Sequence, residues 1–72
     1  MMSIRTNQNE LCERELDVLH LLTYGYENKE ISKKLYVSTH TVKACISSIL
    51  KKLNAKNRTE AVSIAFRKKI IK

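Results

Sequence analysis

Between Ser38 and Leu53, the apolar residues Val42, Ile46, Ile49, Leu50 and Leu53 recur at the spacing of a single helical stripe. The reverse side reads His40, Lys43, Ala44, Ser47 and Lys51, and the whole of 38–53 holds no Asp or Glu. A helix with one oily face and one small, basic face is the frame around which the remainder must pack. With one Gly and no Pro in 72 residues, helices on short links are favoured over a many-turned β protein. An apolar content of 43 % is too high for a disordered chain. The length allows one domain, and a domain this small buries only about 60 % of its surface, so a partner subunit is anticipated.

Three further helices are predicted around that frame. From Cys12 to Tyr24, Leu16, Leu19 and Leu22 recur every three residues with Val18 beside them, and Glu13, Glu15 and Asp17 suit the positive end of the helix dipole. Gly25 stands where a left-handed cap stops that helix. Asn28 is a cap for a short helix through Leu35, with Ile31 and Leu35 on its buried side. Ser38 is the N-cap candidate of the third helix. Asn57-Arg58-Thr59-Glu60 has capping-box spacing and opens a fourth helix that runs to about Lys69. The expected fold is all-α, with helices over about 12–24, 28–35, 38–53 and 58–69. Residues 11–72 form the domain, and the polar stretch 1–10 is a loose arm.

Charge is steeply asymmetric. Residues 1–30 carry three Lys+Arg against six Asp+Glu, whereas residues 31–72 carry eleven against one. Such a basic half is the footprint of a surface that meets phosphates. A solvated face or attraction to anionic lipid is the alternative on charge alone. No apolar run approaches the roughly 18 residues of a membrane span, and the start lacks the apolar core of a secretory signal. Two cysteines in such a chain suggest free thiols in a reducing cytoplasm, and a cytoplasmic, nucleoid-associated protein is expected.

A short helix, a tight turn and a longer two-faced helix are the parts of a helix-turn-helix. The major groove, about 12 Å wide, admits one helix, whose inserted face must be small and free of carboxylates. Helix 38–53 meets that condition. Helix two crosses above it, with Lys29, Lys33 and Lys34 in reach of phosphates. Ser38, Thr39 and Thr41 stand at the start of the third helix, where backbone N–H groups and the dipole favour a phosphate.

Four linked segments carry a family resemblance: Glu13-Arg14-Glu15-Leu16-Asp17-Val18-Leu19, Gly25-Tyr26-Glu27-Asn28-Lys29-Glu30-Ile31, Leu35-Tyr36-Val37-Ser38-Thr39-His40-Thr41-Val42-Lys43 and Ile49 through Ala61. In register they resemble the LuxR-type (GerE-like) helix-turn-helix of bacterial transcription regulators, from about Leu11 to the C-terminus. The resemblance implies a four-helix domain, often dimeric through its last helix, whose third helix enters the major groove. Most relatives carry it behind a receiver or ligand-binding domain, for which this length has no room, so the free-standing kind is expected. By the family pattern Lys43, Ala44 and Ser47 face bases, while Lys29, Thr41, Lys51 and Lys52 contact or approach the backbone. The chain departs from the pattern at three places. Cys12 replaces a Thr or Ser N-cap, a loss of about 1 kcal/mol. Cys45 replaces a common His. Ser32 replaces a common Ala, and its hydroxyl needs an acceptor, with the Asn28 carbonyl in reach.

Single residues carry bland readings beside the functional ones. Lys43 is a base reader or one more solvated lysine; Ser47 bonds several bases and specifies weakly; Ala44 meets a thymine methyl or is merely small. His40 touches phosphate or has no role, and His20, on helix one, is structural or surface. Cys12, His20, His40 and Cys45 show no metal-ligand spacing, so neither metal nor cofactor is expected. Cys45 is a packed thiol or, beside the reading face, an oxidation-sensitive one. The acids lie on a helix exterior without paired burial, no nucleophile–base pair is evident, and a non-enzymatic role follows.

Helix four is apolar on two sides. Ala61, Ile64 and Ala65 complete the core, and Val62, Phe66 and Ile70 are left for a second copy or fold back onto the domain. The expected function is sequence-specific binding of double-stranded DNA by a homodimeric transcription regulator. The rivals are a protein-interaction module that binds RNA polymerase or another regulator, and a promoter-recognition piece resembling sigma region four.

Overall fold

A computed structural model describes residues 11–71. Four helices make up the fold: α1 Glu13–Thr23, α2 Asn28–Leu35, α3 Thr39–Leu53 and α4 Arg58–Arg67. Among the described residues there is no strand. The expected arm 1–10 lies outside the described residues. Helix α3 is the hub: it packs against α1, α2 and α4, and α1 also packs on α4.

The core follows the apolar stripes. Val18 and Leu19 of α1, Ile31 of α2, and Val42 and Ile49 of α3 are the largest fully buried side chains. Ala61, Ile64 and Ala65 of α4 close over them, as expected from one side of that helix. Burying side chains such as these contributes roughly 1.5–3 kcal/mol each, the main force holding four short helices together. Leu11 and Ile71 are also buried, so residues just outside the first and last helices belong to the same core.

Each helix ends for a local reason. Gly25 is left-handed (φ 83°) just after α1, and its N–H donates to the Leu22 carbonyl at 3.0 Å. Asn54 is left-handed after α3, a conformation Asn tolerates. Ser38 caps α3 by accepting the Thr41 N–H at 3.0 Å, and Asn57 caps α4 by accepting the Glu60 N–H at 2.8 Å.

The structure corrects five expectations. Helix α1 is shorter by a residue at each end, because Cys12 and Tyr24 are its caps. Leu16 is 36 % exposed, and Glu15 takes the inward position with Val18, Leu19 and Leu22, because it finds polar partners across the interface. The cap of α2 is Glu27 and not Asn28; the Glu27 N–H donates to Glu30 Oε1 at 2.9 Å, while Asn28 begins the helix. The Ser32 hydroxyl donates to the carbonyl of Lys29 at 2.7 Å, not that of Asn28, which is the i−3 bond. Helix α4 stops at Arg67, two residues early, because Lys69 is left-handed (φ 59°) and the Ile70 N–H turns back to the Ala65 carbonyl at 2.8 Å. Ile70 therefore lies beyond α4 and does not extend its outer stripe.

Candidate nucleic-acid interface

The turn between α2 and α3 sets the aim of the site. Tyr36 ends α2 in the left-handed conformation, which a non-glycine residue adopts at a cost of about 1–2 kcal/mol. The residue is 94 % exposed, so packing does not offset that strain. The Val37 N–H then donates to the Ser32 carbonyl at 3.0 Å, and Ser38 caps the next helix. A turn this tight fixes the angle between α2 and α3.

On α3, His40, Lys43, Ala44, Ser47 and Lys51 are all exposed, while Val42, Ile46, Ile49 and Leu53 are buried. The two faces separate as their spacing requires. No acidic side chain pairs with Lys43 or Lys51 among the described residues. The structure brings Ser38 and Thr41 together, with Ser38 Oγ 3.1 Å from Thr41 Oγ1, at the positive end of α3 beside the exposed Thr39. Lys29, Lys33 and Lys34 are exposed on α2, but the Lys34 ammonium sits 4.8 Å from the centre of the Tyr26 ring.

Lys52 differs from its neighbour Lys51. Its ammonium donates to Glu15 Oε1 at 2.8 Å, the only ion pair among the described residues. Ser48 Oγ donates to Glu15 Oε2, and the Cys12 N–H donates to Oε1 at 2.9 Å. Burial by itself would push the Glu15 carboxyl up, yet Lys52, Ser48 and Cys12 together hold it at about 2. The Glu15 carboxylate in turn raises the Lys52 ammonium above its ordinary value. A carboxylate buried with its partners replaces the solvated acid expected on α1. The missed signal was the spacing: Glu15 lies three residues after Cys12, and Ser48 and Lys52 lie four apart on one side of α3.

The remaining candidates fall away from the reading face. Cys45 is half-buried against the core, and burial pushes its thiol up, which favours the packed reading. His20 is exposed on α1, its Nε2 3.1 Å from Tyr24 Oη. Among the described residues no group of three or more His, Cys, Asp or Glu is placed to hold a metal. On α4, Phe66 is 49 % exposed, whereas Val62, and Ile70 beyond the helix, are half-buried against the core. A shallow groove of about 400 Å³ runs from Leu22 and Tyr26 past Arg58 to Val62. Arg58 Nη2 donates to Asn28 Oδ1 at 3.0 Å, joining the starts of α2 and α4.

The family model for bacterial regulatory proteins of the luxR family matches residues 9–65, from ahead of α1 to Ala65 in α4. The chain belongs to the luxR family. Its luxR-type fold superposes on the transcription factor GerE with a TM-score of 0.78 at 34 % identity, over 82 % of this chain and 88 % of that one. It superposes on the response regulator ChrA of a heme-sensing two-component system with a TM-score of 0.85, again at 34 % identity, over 93 % of this chain and 33 % of that one. In sequence it is 48 % identical to the oxygen regulatory protein NreC of Staphylococcus carnosus over 85 % of this chain and 28 % of NreC. It is 45 % identical to the transcriptional regulatory protein YxjL of Bacillus subtilis over 93 % of this chain and 33 % of YxjL. The luxR-type chain thus spans about a third or less of the length of these curated relatives.

Proposed function

We propose that this luxR-family domain is a sequence-specific DNA-binding element of a transcription regulator, with α3 in the major groove. The observation that carries the reading is the division of α3: an exposed, acid-free face of His40, Lys43, Ala44, Ser47 and Lys51 over a fully packed reverse. Lys43, Ala44 and Ser47 meet base edges. Lys29, Ser38, Thr39, Thr41 and Lys51 hold phosphates from α2, the turn and the far end of α3. Lys52 approaches the backbone less closely, because Glu15 holds its ammonium.

The domain acts as a homodimer through α4, with Phe66 as the central contact and Val62 and Ile70 at its edge. The support is Phe66, the one large apolar side chain of α4 that is exposed, with the half-buried Val62 one turn before it. A two-fold dimer implies half-sites about one helical turn apart. The role is non-enzymatic and placed in the bacterial cytoplasm on the nucleoid. No helix of the described residues is long and apolar enough to cross a membrane. The rival, a module whose basic face binds RNA polymerase or another acidic partner, explains the charge but not the small, carboxylate-free shape of α3.

Fluorescence anisotropy against random and genomic-selected duplexes at two salt concentrations tests the reading. Preference for a two-fold site, with affinity falling steeply as salt rises, is expected. Weak binding without sequence preference would favour the protein-interaction module. Preference for one asymmetric hexamer would favour a sigma-like role.

A further inference from the structure

The chemistry exposed on α3 specifies more than a generic duplex. Among the hydroxyls of α3 and its cap, Ser48 gives its proton to Glu15, while Ser38, which donates to Thr41, lies with Thr41 at the first turn, on the phosphate side of the reading above. What remains outward along the middle of the helix is one ammonium (Lys43), one methyl (Ala44) and one hydroxyl (Ser47). Asn and Gln, which recognise adenine through paired bonds, are absent from 39–53, as are Arg and the carboxylates that accept from cytosine N4.

Each remaining group has a limited set of partners. An ammonium has only donors, so it seeks the base edge with two adjacent acceptors, guanine N7 and O6; the adenine N6 amino group would oppose it. A methyl group gains from burying the thymine C5 methyl. A serine hydroxyl both donates and accepts, so it discriminates little. Lys43 and Ser47 are four residues apart, about 6 Å along the helix, which is about two base-pair steps.

Resting on the DNA reading above, we propose that each half-site carries one strongly specified guanine under Lys43, an adjoining thymine under Ala44, and a degenerate position under Ser47. Base-specific readout by the middle of α3 is confined to about three base pairs, and there no adenine or cytosine is selected by a direct paired bond.

The test uses the 72-residue chain and a random duplex pool. After selection, the recovered site is resynthesised with 7-deazaguanine in place of guanine, which removes N7, and separately with deoxyuridine in place of thymine, which removes the methyl. The wild type is expected to lose about tenfold in affinity with the first and about threefold with the second. Lys43→Ala, an exposed change, should become indifferent to 7-deazaguanine while still sensing deoxyuridine. Ala44→Gly should show the converse; since glycine weakens a helix, the wild-type response to deoxyuridine stands as the independent measurement. Selected half-sites without a shared guanine, or Lys43→Ala still sensing 7-deazaguanine, would overturn this assignment and leave DNA binding intact. A pool that yields no enriched sequence would overturn both readings.

Discussion

Glu15 and Lys52 stand 37 residues apart in sequence and meet at 2.8 Å, a carboxylate of α1 holding an ammonium of α3. Ser48, one turn earlier on α3, gives its hydroxyl to the same carboxylate. The contact fastens the back of the reading helix to α1 by charge as well as by packing. It also lends α1 an anchor at its first turn, where the Cys12 N–H donates to the same carboxylate.

Removing the carboxylate should loosen that fastening. Glu15→Gln keeps the size but loses the charge, and thermal unfolding should show a loss of about 1–3 kcal/mol. Affinity for DNA should fall further than affinity of an equally destabilised core variant such as Ile64→Val, because the helix that reads bases is the one released.

The same cluster sets an acid limit. A carboxyl held at about 2 in the folded chain, against an ordinary 4.5, contributes stability that is fully present above 4.5 and is lost as pH falls toward 2. The contribution is at most about 3 kcal/mol. The gap in melting temperature between wild type and Glu15→Gln should shrink by most of its size from pH 6 to pH 2.5. Curves that stay equally far apart at both would show that ionisation of Glu15 is not the cause.

Two adjacent lysines should behave differently. Lys51 has no acidic partner among the described residues, so Lys51→Ala should weaken binding to all sequences alike and reduce the slope of log affinity on log salt by about 0.9. Lys52→Ala should lower the melting temperature and leave that slope nearly unchanged. Equal slopes lost by both variants would mean that Lys52 leaves Glu15 for a phosphate on binding.

Much of this fold was legible in the sequence, and the reasons differ by element. The third helix was plain because its two faces differ in every property: Val42, Ile46, Ile49 and Leu53 are buried, and Lys43, Ala44 and Ser47 are exposed. Gly25 was plain because a single glycine after a periodic run has one obvious use. The inward turn of Glu15 was not, since a lone acid in a first turn also suits the helix dipole, and only the placement of Ser48 and Lys52 opposite it makes burial tolerable. The early end of α4 was hidden for a different reason. Lys68 and Lys69 continue a helical pattern well, and the return that buries Ile71 is a tertiary preference with no local cue.

Phe66→Glu places a charge at the centre of the outer face of α4. Sedimentation should show a shift from dimer to monomer, with operator affinity falling together with it. A variant that sediments as wild type would remove α4 from the interface.

Tyr36→Gly should stabilise the chain by relieving the left-handed strain at a ring that touches little, a gain of about 1 kcal/mol visible as a melting point higher by several degrees. No gain would mean that the tyrosine ring holds the turn in a way its exposure conceals.

The clamp on the back of α3 has a consequence for anyone who wishes to retarget the domain. Grafting a whole foreign recognition helix would discard Ser48 and Lys52 and leave the buried Glu15 carboxylate without both partners. Exchanging only His40, Lys43, Ala44 and Ser47 leaves the chassis intact. Libraries for altered operator choice are therefore best restricted to those four outward positions, with the residues facing α1 kept as they stand.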